Sequence, residues 1–220
     1  MRIFSSRLTW GLLLIGAGTI FLLQNLNVLP QSPSIWGTSF AIGGVFFLLG
    51  FLSNREYWWA AIPAFTLLGL AVILLWEVLP TRRLSDDLLG AVFLGMLGLG
   101  FIAVYLREFK HWWAIIPAGA LLSIASVVTL QAFVKNPGPV ETGGVLFIGM
   151  GITFLLVWML PSAGPGGRVR PGRGWAIWPA VSLLIFGGLI TAAATNLLGM
   201  LWPVALILAG FLVIVRGFRK

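Results

Sequence analysis

Long apolar runs broken by short clusters of charge, proline and glycine make up almost the whole chain. Crossing about 30 Å of hydrocarbon at about 1.5 Å per residue takes about 20 residues. Eight runs reach that length: Leu8–Val28, Trp36–Ser53, Tyr57–Val78, Asp86–Leu106, His111–Phe133, Thr142–Leu160, Trp175–Ala194 and Leu197–Arg216. Only Thr195, Asn196 and Gly199 part the last two, but the combined run is about twice what one crossing needs. The pattern predicts an all-α integral membrane protein of eight transmembrane helices.

Composition narrows the class further. Of 220 residues, 59% are hydrophobic and 9% charged, with a mean hydropathy of +1.02. Soluble domains carry about a quarter of charged residues, so an ordinary water-soluble domain is excluded. The absence of cysteine removes disulfides and every metal site built on thiolates. Arg2 and Arg7 ahead of an apolar run resemble a signal peptide, but the run continues past Gly16-Ala17-Gly18 to Leu23, and an uncleaved first helix is expected.

Charge then sets the orientation. With eight crossings, Arg2, Arg7, Arg55, Arg107, Lys110, Arg168, Arg170, Arg173, Arg216, Arg219 and Lys220 share one side, and Arg82, Arg83 and Lys135 the other. The positive-inside rule therefore predicts both termini cytoplasmic. Glu56 and Glu108 fall inside; Glu77, Asp86, Asp87 and Glu141 fall outside. The sequence pI near 11.4 is accounted for by topology, and no nucleic-acid partner is expected.

The chain also repeats itself. Trp59-Ala60-Ala61-Ile62-Pro63-Ala64 recurs as Trp113-Ala114-Ile115-Ile116-Pro117-Ala118 and as Trp175-Ala176-Ile177-Trp178-Pro179-Ala180, each just after an arginine, Arg55, Arg107 or Arg173. Arg7-Leu8-Thr9-Trp10-Gly11 opens the first run similarly, without the proline. The expectation is a single domain of four tandem parallel helical hairpins, about 8–53, 57–106, 111–160 and 175–216. Even-numbered helices share a looser glycine-aromatic pair, Gly50-Phe51, Gly100-Phe101 and Gly210-Phe211. Two-crossing units all point the same way, which favours a symmetry axis along the membrane normal over inverted repeats. Between the third and fourth units lies 162–174, with five glycines, two prolines and three arginines, expected to be a flexible basic cytoplasmic loop.

Each recurring residue has a physical role to play. Trp10, Trp59, Trp113 and Trp175 are expected as interface anchors, since an amphipathic ring suits headgroup depth; an aromatic platform for a quinone, pigment or lipid ring is the alternative. Pro63, Pro117 and Pro179 fall near helix starts, where a missing N–H costs little. Ala60 with Ala64, Ala114 with Ala118, and Ala176 with Ala180 are small-xxx-small pairs suited to close helix packing. Arg168, Arg170 and Arg173 offer contacts to anionic lipid headgroups or to a cytoplasmic partner. At the outer side, Ser85 supplies an N-cap oxygen with Asp86 and Asp87 beside it, and Leu84 with Leu89 a hydrophobic staple. Gln24, Asn25 and Asn27 mark the outer boundary of the first helix.

Catalytic machinery is not evident. The span interiors hold no charged residue, and their deepest polar groups are hydroxyls: Thr19, Thr66, Ser123, Ser126, Thr129, Thr153, Ser182 and Thr191. Such hydroxyls can bond their own helix backbone, and proton-coupled transport lacks its usual relay. His111, the sole histidine, stands beside Lys110 and reads as a headgroup contact rather than an acid-base group or haem ligand. Protease, hydrolase and P-loop motifs are missing, so no enzyme activity, cofactor or metal is expected.

The two ends carry a resemblance. Leu8-Thr9-Trp10-Gly11-Leu12-Leu13-Leu14-Ile15-Gly16-Ala17-Gly18, followed by Leu22-Leu23-Gln24-Asn25-Leu26, is similar to the opening helix of the LiaI/LiaF-type transmembrane region of bacterial membrane proteins. Leu201-Trp202-Pro203-Val204-Ala205-Leu206-Ile207-Leu208-Ala209-Gly210 resembles that family's second helix, with its W-P-x-x-L-I-x-x-G pattern. The resemblance implies a non-enzymatic inner-membrane protein, in a group where some members modulate envelope-stress signalling, and it brings no catalytic residue. Together these readings point to a scaffold, an accessory subunit of a membrane complex, or an envelope-associated modulator. Its partners would be anionic lipids and another membrane protein. The competing class is a channel or carrier for a hydrophobic small molecule or lipid.

Overall fold

The computed structural model describes residues 7–30, 32–79, 85–133, 139–160, 162–163, 169–170, 173–194, 199 and 206–207. Seven α-helices cover them: α1 (Arg7–Asn25), α2 (Pro33–Ser53), α3 (Ala61–Trp76), α4 (Asp86–Arg107), α5 (Ile115–Phe133), α6 (Pro139–Met159) and α7 (Ile177–Ala194). Short 3₁₀ turns, Arg55–Ala60, Phe109–Ala114 and Gly174–Ala176, run directly into α3, α5 and α7. Six helical stretches are long and apolar enough to cross a membrane, from Pro33–Ser53 to Gly174–Ala193, and Leu14–Asn25 is a shorter apolar helix. The chain is thus an all-helical protein of membrane-spanning character. The expected eighth span lies outside the described residues except at 199 and 206–207, and Arg168 lies outside them as well.

Local chemistry explains where the helices begin. Pro33 occupies the first turn of α2, and the Ser32 hydroxyl accepts from the Ser34 N–H at 3.2 Å. Asn54 closes α2 in an extended conformation, and its side chain accepts from the Glu56 N–H at 3.1 Å, which starts the 3₁₀ turn. Pro63, Pro117 and Pro179 are each the third residue of their α-helix, where no N–H bond is lost. The bends come earlier, at Tyr57 (φ −92°, ψ 32°) and His111 (φ −84°, ψ 42°) inside the turns. Ser85 stands at the N-cap of α4, but its side chain makes no capping bond, unlike the sequence expectation. The basic loop also departs from expectation at its base, where Ser162 pairs with Arg170 and Ala163 with Val169 as a short antiparallel ribbon, β1 and β2.

From α2 to α7 the helices pack in chain order, each against its sequence neighbours, and among the described residues no other helix pair forms more than marginal contact. The α2/α3, α4/α5 and α6/α7 interfaces are the most extensive. Glycine allows each one. A Cβ on Gly44 would stand 2.7 Å from Leu68 Cγ and 3.1 Å from the Ala64 carbonyl oxygen. On Gly98 it would meet Leu122 Cγ at 3.1 Å and the Ala118 carbonyl oxygen at 3.4 Å, and on Gly151 Leu184 Cγ at 2.7 Å. One heptad away, Gly37 faces Leu75 and Gly144 faces Thr191. Small residues at seven-residue spacing are how left-handed helix pairs approach in lipid, where packing and not apolar burial drives association. Phe47, Phe51, Ala60, Ala61, Ala64, Val104 and Ala114 form the buried core, gathered at the turn end of α2, α3 and α4.

Polar groups inside the helices are consumed locally. The hydroxyls of Thr19, Thr66, Ser123, Ser126, Thr129, Thr153 and Thr191 each donate to the carbonyl four residues back, at 2.6–2.9 Å.

Candidate functional site in the aromatic turns

The three 3₁₀ turns lie at one end of the helix row, where the motif residues collect. Ala60, Ala64, Ala114, Ala118, Ala176 and Ala180 are all buried. Their lack of side-chain bulk lets the helix entering from each turn press against its predecessor. Trp10 lies in α1; Trp59 is half-buried, Trp113 and Trp175 are exposed, and Trp178 is 75% exposed.

The tryptophans meet partners that recur from turn to turn. Phe47 faces Trp59 edge-on at 6.2 Å, Phe101 faces Trp113 at 6.3 Å, and Phe154 faces Trp175 at 6.1 Å. Edge-to-face rings are worth about 0.5–1.5 kcal/mol beyond the area they bury. A second series links successive turns. Trp58 stacks on His111 of the next turn at 4.2 Å and 30°, and Trp112 stacks under the Arg173 guanidinium of the third at 3.8 Å. Trp58 and Trp112 occupy the same position ahead of their motif tryptophans, as do His111 and Arg173. The aromatic ladder therefore holds neighbouring hairpins together through one stacked cation or imidazole each.

Sequence reasoning missed both series. A different spacing carries the signal: Gly44, Gly98 and Gly151 each precede Phe47, Phe101 and Phe154 by three residues, a G-x-x-F pattern that shares only Phe101 with the glycine-aromatic pairs. His111, expected at a headgroup, is only 8% exposed and packs under Trp58.

Charges border the ladder. Lys110 forms an ion pair with Glu108, whose Oε2 lies 3.8 Å from His111 Nδ1. The hydrogen bond from Lys110, together with the positive charge of Lys110 and the charges of His111 and Arg55, holds the Glu108 carboxyl below its usual range despite some desolvation. Arg107 donates to the Leu52 carbonyl at 3.3 Å and lies 5.1 Å over the Phe51 ring. Desolvation lowers the Arg173 pKa, partly offset by the nearby Tyr105, and its Nη1 is buried without a hydrogen-bond partner. Arg170 sits in the short ribbon, and Arg168 lies outside the described residues. Among the described residues no group of three or more histidine, cysteine, aspartate or glutamate side chains is placed to hold a metal ion. What this end of the molecule can do chemically is bind: it offers rings, stacked cations and one desolvated guanidinium.

No protein-family model, no curated protein and no solved structure matches this chain.

Proposed function

We propose that the protein is a non-enzymatic inner-membrane scaffold or accessory subunit, eight spans long with both termini cytoplasmic, built from tandem hairpins and held laterally by another membrane protein. The observation that supports this most is the serial packing of the described helices. Among the described residues, helices α2 to α7 make their extensive contacts only with their chain neighbours. Only 17–28% of the most apolar window of each span is buried. Such a row leaves long apolar faces for lipid or for a partner helix, and its basic, aromatic turns face one leaflet. The recurring Phe–Trp and Trp–cation pairs support hairpin duplication, and the likeness of the first and last helices to the LiaI/LiaF-type region supports a modulator role without chemistry.

Photo-crosslinking from the membrane of the native host tests this. A photoreactive residue at Trp178, on the exposed face of the last described helix, should give one discrete adduct with the same membrane protein each time, whereas Ala64, fully buried, should give none. A ladder of unspecific lipid adducts at Trp178 would sink the scaffold reading. The carrier reading draws on a groove of about 400 Å³ between α5 and α6, lined by Leu122, Ser123, Ile148 and Thr153. Recovery of the protein alone in mild detergent, with one enriched lipid species, would favour it.

A further inference from the structure

At the end of the bundle opposite the turns, α1, α2 and α3 line an open cavity of about 740 Å³, with Phe21, Gln24, Asn25, Ser32, Trp36 and Leu74 among its lining residues. Gln24 is 5% exposed, and its Oε1 accepts from the Trp36 indole N–H at 3.1 Å. An indole nitrogen only donates, so this bond fixes the amide's orientation and leaves Nε2 as the free end. That Nε2 is buried and has no hydrogen-bond partner. Buried amide donors are almost always paired, because an unpaired one forfeits its hydration with nothing in return. Around it, Phe21 and Trp36 present rings 4.6 Å apart at 53°. Among the described residues no charged side chain lines the cavity, which disfavours an ionic ligand.

We propose that this cavity binds a neutral, membrane-soluble carbonyl compound. Its carbonyl oxygen accepts from Gln24 Nε2, and its apolar body lies against Phe21 and Trp36. Two sources present that chemistry, the ring carbonyl of a quinone and the ester carbonyl of a glycerolipid. Neither depends on the scaffold reading above, which concerns the outer faces of the row.

The test uses the full chain. In micelles, decylubiquinone binding measured by ultrafiltration should saturate at about one per chain if the ligand is a quinone. Gln24→Met and Gln24→Glu should weaken it about three- to tenfold, the size expected for one hydrogen bond, while Ser126→Ala on α5 leaves it unchanged. If the ligand is a lipid, the melting temperature should be higher in nanodiscs of ester-linked than of ether-linked phosphatidylcholine, and Gln24→Met should abolish that difference. Absence of both saturable quinone binding and an ester effect overturns the proposal, as does either one persisting undiminished in the Gln24 variants. Should Gln24→Met fail to fold, Trp36→Phe carries the same expectation, because it keeps a ring but releases the amide; undiminished binding there also overturns it.

Discussion

Two adjacent glycines on α7 separate helix propensity from helix packing. An ideal Cβ on Gly187 would lie 2.8 Å from the Ile148 backbone nitrogen, 2.9 Å from Ile148 Cγ1 and 3.1 Å from the Gly144 carbonyl oxygen, whereas one on Gly188 would meet nothing within 4 Å. Ordinary contact begins at about 3.4 Å, so Gly187→Ala must push α6 and α7 apart by about 0.6 Å, the difference from 2.8 Å. Two of the three atoms, the Ile148 nitrogen and the Gly144 oxygen, belong to backbone and cannot rotate away. A gap of 0.5–1 Å forfeits about a quarter to a half of each dispersion contact. Overpacking of this kind costs about 1–3 kcal/mol, against about 0.8–1 kcal/mol that alanine returns over glycine in a helix. Gly187→Ala should therefore destabilise by up to about 2 kcal/mol, Gly188→Ala should be neutral or stabilising by up to about 1 kcal/mol, and the two should differ by about 1–3 kcal/mol. For a chain of this length each kcal/mol moves the melting temperature by about 2–4 °C. The assay is thermal unfolding in dodecylmaltoside followed by circular dichroism, with both variants purified identically. Equal melting temperatures, or a less stable Gly188→Ala, would refute close glycine packing as the origin of the α6/α7 interface.

Three further outcomes follow from the turns. Phe101→Leu should lower stability by about 1 kcal/mol, and a double-mutant cycle with Trp113→Leu should return a coupling of about 0.5–1.5 kcal/mol; a coupling near zero removes the edge-to-face pair from the account. Trp112→Ala should release Arg173 from its stacked ring, so tryptic cleavage after Arg173 should speed up severalfold relative to wild type, with no change meaning that the ring does not restrain the loop. The pKa of Glu108 is lowered in the folded chain, so its contribution is fully present above the ordinary carboxylate value and is lost as pH falls below it. Melting temperature should drop across that acidic window, and Glu108→Gln should flatten the slope there; an unaltered slope places the acid sensitivity elsewhere.

Hydrophobic run length by itself determined that the chain is helical and membrane-spanning, because backbone groups in hydrocarbon must bond within their own segment. It also located the starts and ends of α2 to α7 to within a few residues, since charge, proline and asparagine punctuate helices by local chemistry. The W-A-x-x-P-A motif was legible for the same reason: recurrence is visible in one dimension. Which helix each glycine faces was not, because Gly98 meets α5 and Gly100 meets α3 from almost the same place on α4. Only the tertiary structure decided that the described helices α2 to α7 pack serially, that Trp58 finds His111 and Trp112 finds Arg173, and that Gln24 is buried with a spare donor. Those are relations between residues far apart in the chain, set by how rigid helices come to rest against one another, and nearly uniform apolarity carries no trace of them.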